Sequence, residues 1–138
     1  MRKHISREIR LKRRPIGMPA ESDFELAEVE LDEPSEGEIL VRNLYMSVDP
    51  YMRGRMIERK SYIEPFEVGA VLSGGAVGEV MTSAHDRFLP GDHVLSMNGW
   101  REAYISDGSE HQKIDGTIAP LSSYLGALGM PGLTAYVG

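Results

Sequence analysis

The sequence predicts a mainly β fold, a small, partly open β-barrel with short helices and helical segments at its C-terminal end. Three observations carry this. Fifteen glycines and eight prolines in 138 residues exceed what a helical protein tolerates and suit short strands joined by many turns. Apolar residues alternate in short runs bounded by Pro, Gly and Asn through most of the chain. Helical spacing enters only from Ser122 onward. Strands first and helices last favour a barrel or sandwich over an alternating α/β sheet.

The elements follow in order. Arg7–Arg13 alternates as a strand and stops before Pro15, with Gly17 and Pro19 marking a loop. Phe24–Leu31 reads as a second strand. Its apolar positions, Phe24 and Leu26, then Val29 and Leu31, shift phase by one residue, which predicts a bulge. Glu33 to Gly37 is a turn, and Glu38–Val48 is the strongest strand, apolar enough for burial on both faces. Asp49-Pro50 then starts a short helix through Tyr51, Met52 and Arg53: Asp can cap free amides, and Pro suits the first helical position. Gly54 limits how far that helix runs.

Val68–Met81 is glycine-rich and β-branched, as a strongly bent barrel strand would be. Pro90-Gly91-Asp92 turns into His93–Met97. Asn98-Gly99 between that run and Trp100–Ser106 is the strongest hairpin signal in the chain. Lys113–Ile118 reads as one more short strand. Tyr124, Leu125 and Leu128 line a helical face before Gly129, and Leu133–Gly138 opens a further helix that has barely started, which predicts a chain cut short.

Length and composition bound the function. A chain of 138 residues, 41% hydrophobic and 26% charged, is one ordinary globular domain that can bury a sizeable core. It has no cysteine, so disulfides, thiolate metal sites and cysteine nucleophiles are excluded, and a reducing cytoplasm fits. No apolar run approaches the ~20 residues of a membrane helix, and no signal peptide follows the basic start. The net charge of −6 is uneven, with seven Lys or Arg against one acid in residues 1–14. Such an arm could bind nucleic acid by counterion release. A solvated strand edge, with Ile5, Ile9 and Leu11 inward and Arg10 and Lys12 in water, is the simpler reading, because the acidic remainder repels phosphate.

Few motifs carry chemistry. His4, His85, His93 and His111 show no metal spacing and read as solvated side chains. Asp92 and His93 are neighbours, yet on a strand they point to opposite faces. The run from Gly69 to Gly78 lacks the Gly-Lys of a phosphate loop and opens no helix, so its glycines read as bend positions. Ser47, Ser73, Ser96 and Ser106 lack a nucleophile elbow. Tyr51, on a proline-initiated helix after a buried strand, could turn its phenol to a cleft; from spacing alone, a half-buried tyrosine with its hydroxyl in water is the simpler reading.

The segment Leu44-Tyr45-Met46-Ser47-Val48-Asp49-Pro50-Tyr51-Met52-Arg53-Gly54 closely resembles the zinc-free branch of the medium-chain dehydrogenase/reductase superfamily, the group of prostaglandin, alkenal double-bond and curcumin-type reductases. Gly74-Gly75-Ala76-Val77-Gly78-Glu79-Val80, Pro90-Gly91-Asp92-His93-Val94, and Leu128-Gly129-Met130-Pro131-Gly132-Leu133-Thr134-Ala135-Tyr136 match in the same order. The first and last motifs are specific to the branch; the middle two are shared across the superfamily.

The resemblance implies that residues 1–138 form the GroES-like substrate domain, followed in the full-length protein by a Rossmann domain that binds NADP(H). Zinc-dependent relatives place a ligand Cys just before the position of Asp49 and a Gly-His-Glu near the bent strand. Met46 and Gly69-Ala70-Val71 stand at those places here and offer no zinc ligand. Without a Lewis acid, hydrogen-bond donors must stabilise the carbonyl oxygen of an α,β-unsaturated ketone or aldehyde as hydride reaches its β-carbon. The resemblance makes Tyr51 the candidate donor or cofactor contact; its phenol, with an ordinary pKa of about 10, is protonated at neutral pH. It also places Met130 and Thr134 near the nicotinamide, with helix packing between domains as the other role open to both. Arg53 and Arg55 read as solvated, and Tyr45 as a core or cleft-wall residue. The expected protein is a cytoplasmic enone reductase, a homodimer at full length, with no membrane or nucleic-acid partner. The chain alone is expected to be inactive. The competing expectation is a non-catalytic GroES-like binding or scaffold module, though fold kinship alone is a weak warrant for it.

Overall fold

The computed structural model describes residues 3–49, 51–57, 64–117 and 120–125. Among them are seven strands: β1 (His4–Leu11), β2 (Phe24–Leu31), β3 (Ile39–Met46), β4 (Ala76–Ser83), β5 (His93–Ser96), β6 (Ala103–Ser106) and β7 (Gln112–Ile114). One helix, α1 (Tyr51–Arg55), follows β3, and 3₁₀ turns stand at Glu21–Asp23 and Leu121–Leu125. β1 and β2 form an antiparallel ribbon, and the other strands form a sheet in the order β6-β3-β4-β5-β7. The fold is mainly β with two sheets that do not close into one barrel. Isolated bridges Glu8↔Arg101 and Arg10↔Val71 fasten the ribbon to the rest.

β1 begins earlier than the alternation predicts, and Ile5 points to solvent, 65% exposed, while Ser6 is buried and bonded through its hydroxyl to the backbone of Ala103. Ile9 and Leu11 do face inward, against Met52, Met56, Phe66 and Leu72. β2 has the predicted bounds but no bulge. It pairs one-to-one with β1 from Leu11↔Phe24 to His4↔Leu31, and Leu26 resolves the phase change by facing water. The bulge sits in β3, where the register against β4 slips between Asn43 and Tyr45. β7 is displaced to Gln112–Ile114 from the expected Lys113–Ile118.

Two further expectations fail for identifiable reasons. Of the strongly bent strand expected over Val68–Met81, only the part from Ala76 is regular strand, in β4; before it, Val71 and Gly74 make isolated bridges. Asn98-Gly99 does not close a hairpin, because β5 pairs with β4 and β7 while β6 pairs with β3. Gly99 is there for close approach: an added β-carbon would lie 2.9 Å from the Gly74 carbonyl oxygen. The left-handed conformation falls on Trp100 instead, at φ 62°.

The main core is Ile39, Val41, Val80, Phe88, Val94 and Tyr104, built where β3 and β4 are buried. Burial on both faces of β3 holds only for Ile39, Leu40 and Val41. The basic residues of β1 and its following loop largely pair within the chain: Arg7 with Glu102, Arg10 with Glu8, Arg13 with Asp23 and Lys3 with Glu30. No described helix is long and apolar enough to cross a membrane.

Candidate functional site

The site is built at the end of β3, where the strand leaves the core. Leu44 is the extra residue of the bulge. Gly78 lies opposite because a β-carbon there would approach Val41 Cγ1 to 2.5 Å and the Arg42 carbonyl oxygen to 3.0 Å. The Asn43 amide nitrogen donates to the carbonyls of Asn98 (2.7 Å) and Arg101 (2.9 Å), tying the β5–β6 crossing over the bulge. Beyond it Leu44, Tyr45, Met46 and Val48 are exposed, as is Met97 on the crossing. Tyr45 is 49% exposed and lies on this rim, outside the core. Consecutive strand residues such as Tyr45 and Met46 point to opposite faces, so these exposed apolar side chains flank the end of β3 on both sides.

The strand end turns into α1 through a polar corner. Ser47 donates its backbone N–H to the Gly75 carbonyl (2.8 Å) and its hydroxyl to the Asp49 carboxylate (2.9 Å to either oxygen). The Asp49 carbonyl accepts from the Met52 N–H at 3.1 Å, which starts the helix. Met52 and Met56, one turn apart, bury one face of α1 against Leu11, Phe66 and Leu72. A side chain at Gly74 would collide with Met52. The crossing is stitched down by bonds from the Gly74 N–H to the Met97 carbonyl (3.0 Å) and from the Gly99 N–H to the Gly74 carbonyl (2.9 Å). Trp100, in its uncommon left-handed conformation, brings its indole nitrogen to the same place. Leu125 approaches from the C-terminal 3₁₀ turn, 3.4 Å from where a Gly75 β-carbon would stand.

Tyr51 is the first residue of α1, at the junction between the strand end and the helix; its side chain lies outside those described. Met130 and Thr134 lie outside the described residues altogether. Arg53 and Arg55 are not the solvated cations expected. Arg53 donates to the carbonyls of Pro15 and Gly17, and Arg55 donates to the Glu64 carbonyl and the Ser73 hydroxyl while lying 4.2 Å over the Phe66 ring.

The histidines also differ from expectation. His111 is buried, with Nδ1 2.8 Å from the Ser109 carbonyl and Nε2 2.8 Å from the Tyr104 hydroxyl, which is 3.1 Å from Ser96 Oγ. Burial pushes the Tyr104 phenol above its ordinary pKa, and hydrogen bonding to Ser96 and the Arg101 charge pull it partly back. Sequence spacing missed this trio because its members come from β5, β6 and the turn before β7. The inward parity of Val94 and Ser96 was the only local signal. His93 is 3.5 Å from Glu79 on β4, and Asp92, just before β5, is 3.7 Å from Lys113 on β7.

No three His, Asp or Glu side chains among the described residues are grouped to hold a metal ion. Met46 is an exposed strand residue, and Gly69 occupies a turn at φ 90°. The glycine-rich run leads into β4 and opens no helix, so the described residues provide no strand–turn–helix cradle for a pyrophosphate. What this end of the domain offers is exposed apolar residues, a fixed helix start and a neighbouring tyrosine.

Comparison with known proteins gives the chain its family. Residues 7–114 match the family described as the N-terminal domain of oxidoreductase. The chain is 44% identical to the NADPH-dependent curcumin reductase of Escherichia coli over 93% of its length and 37% of that protein's. It is 41% identical to the NADP(+)-dependent 2-alkenal reductase of Nicotiana tabacum, over 96% of this chain and 40% of that one. Among solved structures, CurA of Vibrio vulnificus in complex with NADPH superposes with a TM-score of 0.87 at 44% identity, covering 95% of this chain and 39% of that one. The chain thus spans about two-fifths of the length of these relatives. It belongs to the family of N-terminal domains of oxidoreductases, in the branch that includes the curcumin, alkenal and prostaglandin reductases.

Proposed function

We propose that this chain is the substrate-side domain of a zinc-independent, NADPH-dependent reductase of the C=C bond in α,β-unsaturated ketones and aldehydes. The observation that carries the reading is the junction at the end of β3, where exposed apolar residues lead into a helix that opens with Tyr51. Its support from relatives is the identity to reductases whose names specify NADPH, curcumin and 2-alkenals.

The cofactor, held mainly by residues beyond this chain, supplies a hydride. This chain's residues bind and orient the acceptor. Apolar side chains among Leu44, Tyr45, Met46 and Val48 take the apolar body of the enone and exclude water from it. Tyr51 donates its phenolic O–H to the carbonyl oxygen. As the β-carbon gains the hydride, the C=C electron pair moves toward that oxygen as enolate charge, and the donor is stronger for the charged form than for the ketone. Protonation at the α-carbon completes the reduction. Met130 and Thr134 contribute to the nicotinamide side.

The test uses the full-length protein with 4-phenyl-3-buten-2-one, following NADPH absorbance. The full-length protein should turn over, whereas residues 1–138 alone should neither oxidise NADPH nor bind it tightly. Tyr51→Phe should lower turnover by ~10-fold or more, in the range of a lost transition-state donor, while leaving the melting temperature within a few degrees. Unchanged turnover in Tyr51→Phe removes Tyr51 from the chemistry, and inactivity of the full-length protein on every enone removes the substrate assignment.

A further inference from the structure

We propose that Arg14 and Arg53 form a reciprocal clamp that positions α1 and, through it, Tyr51; this rests on the role given to Tyr51 above. α1 has five residues, too few to hold a helix in water unaided, and the carbonyls at its end lack intrahelical partners. Arg14, from the loop after β1, donates Nη1 to the Met56 carbonyl at 3.0 Å, just past the helix. Arg53, from the helix, reaches back to that loop: Nη2 donates to the carbonyls of Pro15 (3.2 Å) and Gly17 (2.9 Å), and Nε to Gly17 (3.3 Å). Each element gives a guanidinium to the other's backbone.

The loop is a firm base for such a clamp. The N–H groups of Lys12 and Arg13 donate to the Asp23 carbonyl (2.8 and 3.3 Å), and the Asp23 carboxylate accepts from Arg13 Nε (2.9 Å) and the Ala20 N–H (2.8 Å). Pro15 is buried, whereas Ile16 and Met18 at the loop tip are 98% and 88% exposed. The arginine bonds join the tip to α1 beyond the reach of that packing. On the other side of the helix, Arg55 is bound to Glu64 and Ser73, and beneath it Met52 and Met56 are buried. Held on three sides, the helix can neither slide nor roll. A planar guanidinium suits this place because carbonyls two residues apart must be reached together, which a single ammonium does poorly.

The test is a double-mutant cycle in the full-length protein, assayed with 4-phenyl-3-buten-2-one and NADPH. Arg53→Met keeps the apolar stem and removes the donors. It should lower turnover on the order of 10-fold, as a displacement of a reacting group by a fraction of an ångström can, with the KM for NADPH unchanged. In a Tyr51→Phe background the same substitution should cost nothing further. Arg53→Lys should recover part of the rate, and Arg14→Met should act in the same direction as Arg53→Met. If Arg53→Met does not fold, Arg14→Met, which leaves the Arg53 bonds in place, carries the cycle. A loss as large in the Tyr51→Phe background as in the parent overturns the clamp and leaves Tyr51 its role. Full turnover in Tyr51→Phe overturns the role of Tyr51, and the clamp's purpose with it.

Discussion

Replacing Tyr104 with Phe deletes one oxygen from a buried polar trio and leaves the ring that fills the core. Ser96 Oγ lies 3.1 Å from the Tyr104 hydroxyl and accepts from the Asn98 N–H at 3.1 Å. With His111 Nδ1–H donating to the Ser109 carbonyl, Nε2 is an acceptor and Tyr104 donates to it. Without the phenol oxygen, the Ser96 hydroxyl and an imidazole nitrogen each lose a partner in sites that are 5% and 8% exposed. Each stranded group costs about 1–3 kcal/mol. Because both keep their other bond, the sum should fall near the low end, ~2–3 kcal/mol. With a urea slope of ~1–3 kcal/mol per molar for a domain this size, the midpoint should drop by ~1–2 M. Equilibrium urea unfolding by circular dichroism measures it. A drop below ~0.3 M would mean that the two groups find other partners and that the trio contributes little.

The same variant has a pH signature. The folded phenol sits above its ordinary pKa because it is buried, so the folded state holds the proton more tightly than the unfolded state. The stability this gives is complete below the unfolded value of about 10 and is lost as pH rises from there through the folded value. Tyr104→Phe should therefore lose stability less steeply than the parent above about pH 10.

Two further outcomes test the packing and the charges. Gly78→Ala should destabilise by ~1–3 kcal/mol, since the backbone and the β-branched Val41 leave its methyl no room, whereas Gly54→Ala, with open space around it, should stabilise by a few tenths to ~1 kcal/mol; differential scanning calorimetry reads both. Asp23 is held below the usual carboxylate range by the Ala20 N–H and the Arg13 guanidinium, so its contribution is present above the unfolded value and lost as pH falls through the folded one. Asp23→Asn should flatten the acid limb of stability against pH, and an acid limb as steep as the parent's would refute that contribution.

Strand positions were legible in the sequence where local pattern decides them, and pairings were not. Phe24–Leu31 carries its own bounds because β-type residues lie between turn signals, and β2 begins and ends there. Asn98-Gly99 looks like a hairpin locally, yet β6 leaves to pair with β3, where Ile39, Leu40 and Val41 demand cover on both sides. That demand comes from residues some sixty positions away, beyond the reach of a dipeptide preference. The same holds for glycine. At 74, 78 and 99 the absence of a side chain answers Met52, Val41 and the Gly74 carbonyl respectively. Only three-dimensional packing exposes those reasons. The place of α1 was legible, since it begins at Tyr51, but its first bond goes to the Asp49 carbonyl while the Asp49 carboxylate accepts from the Ser47 hydroxyl. The partners of Arg53 and Arg55 lie on two distant loops, and a solvated reading was the natural error.

β3 explains why one short domain can serve both stability and binding. Before the bulge, Ile39, Leu40 and Val41 are sealed in the sheet, Ile39 and Val41 in the cluster with Phe88 and Tyr104. After it, Tyr45 and Met46 still pair with Val77 and Ala76, but their side chains are exposed and the strand runs on toward α1. One inserted residue, Leu44, separates the two regimes. The relatives are more than twice as long as this chain. Exposed apolar residues next to a clamped helix make physical sense if substrate and the remainder of a longer protein meet there. Changes in the first half of β3 should then act on stability, and changes beyond Leu44 on what the full-length protein binds.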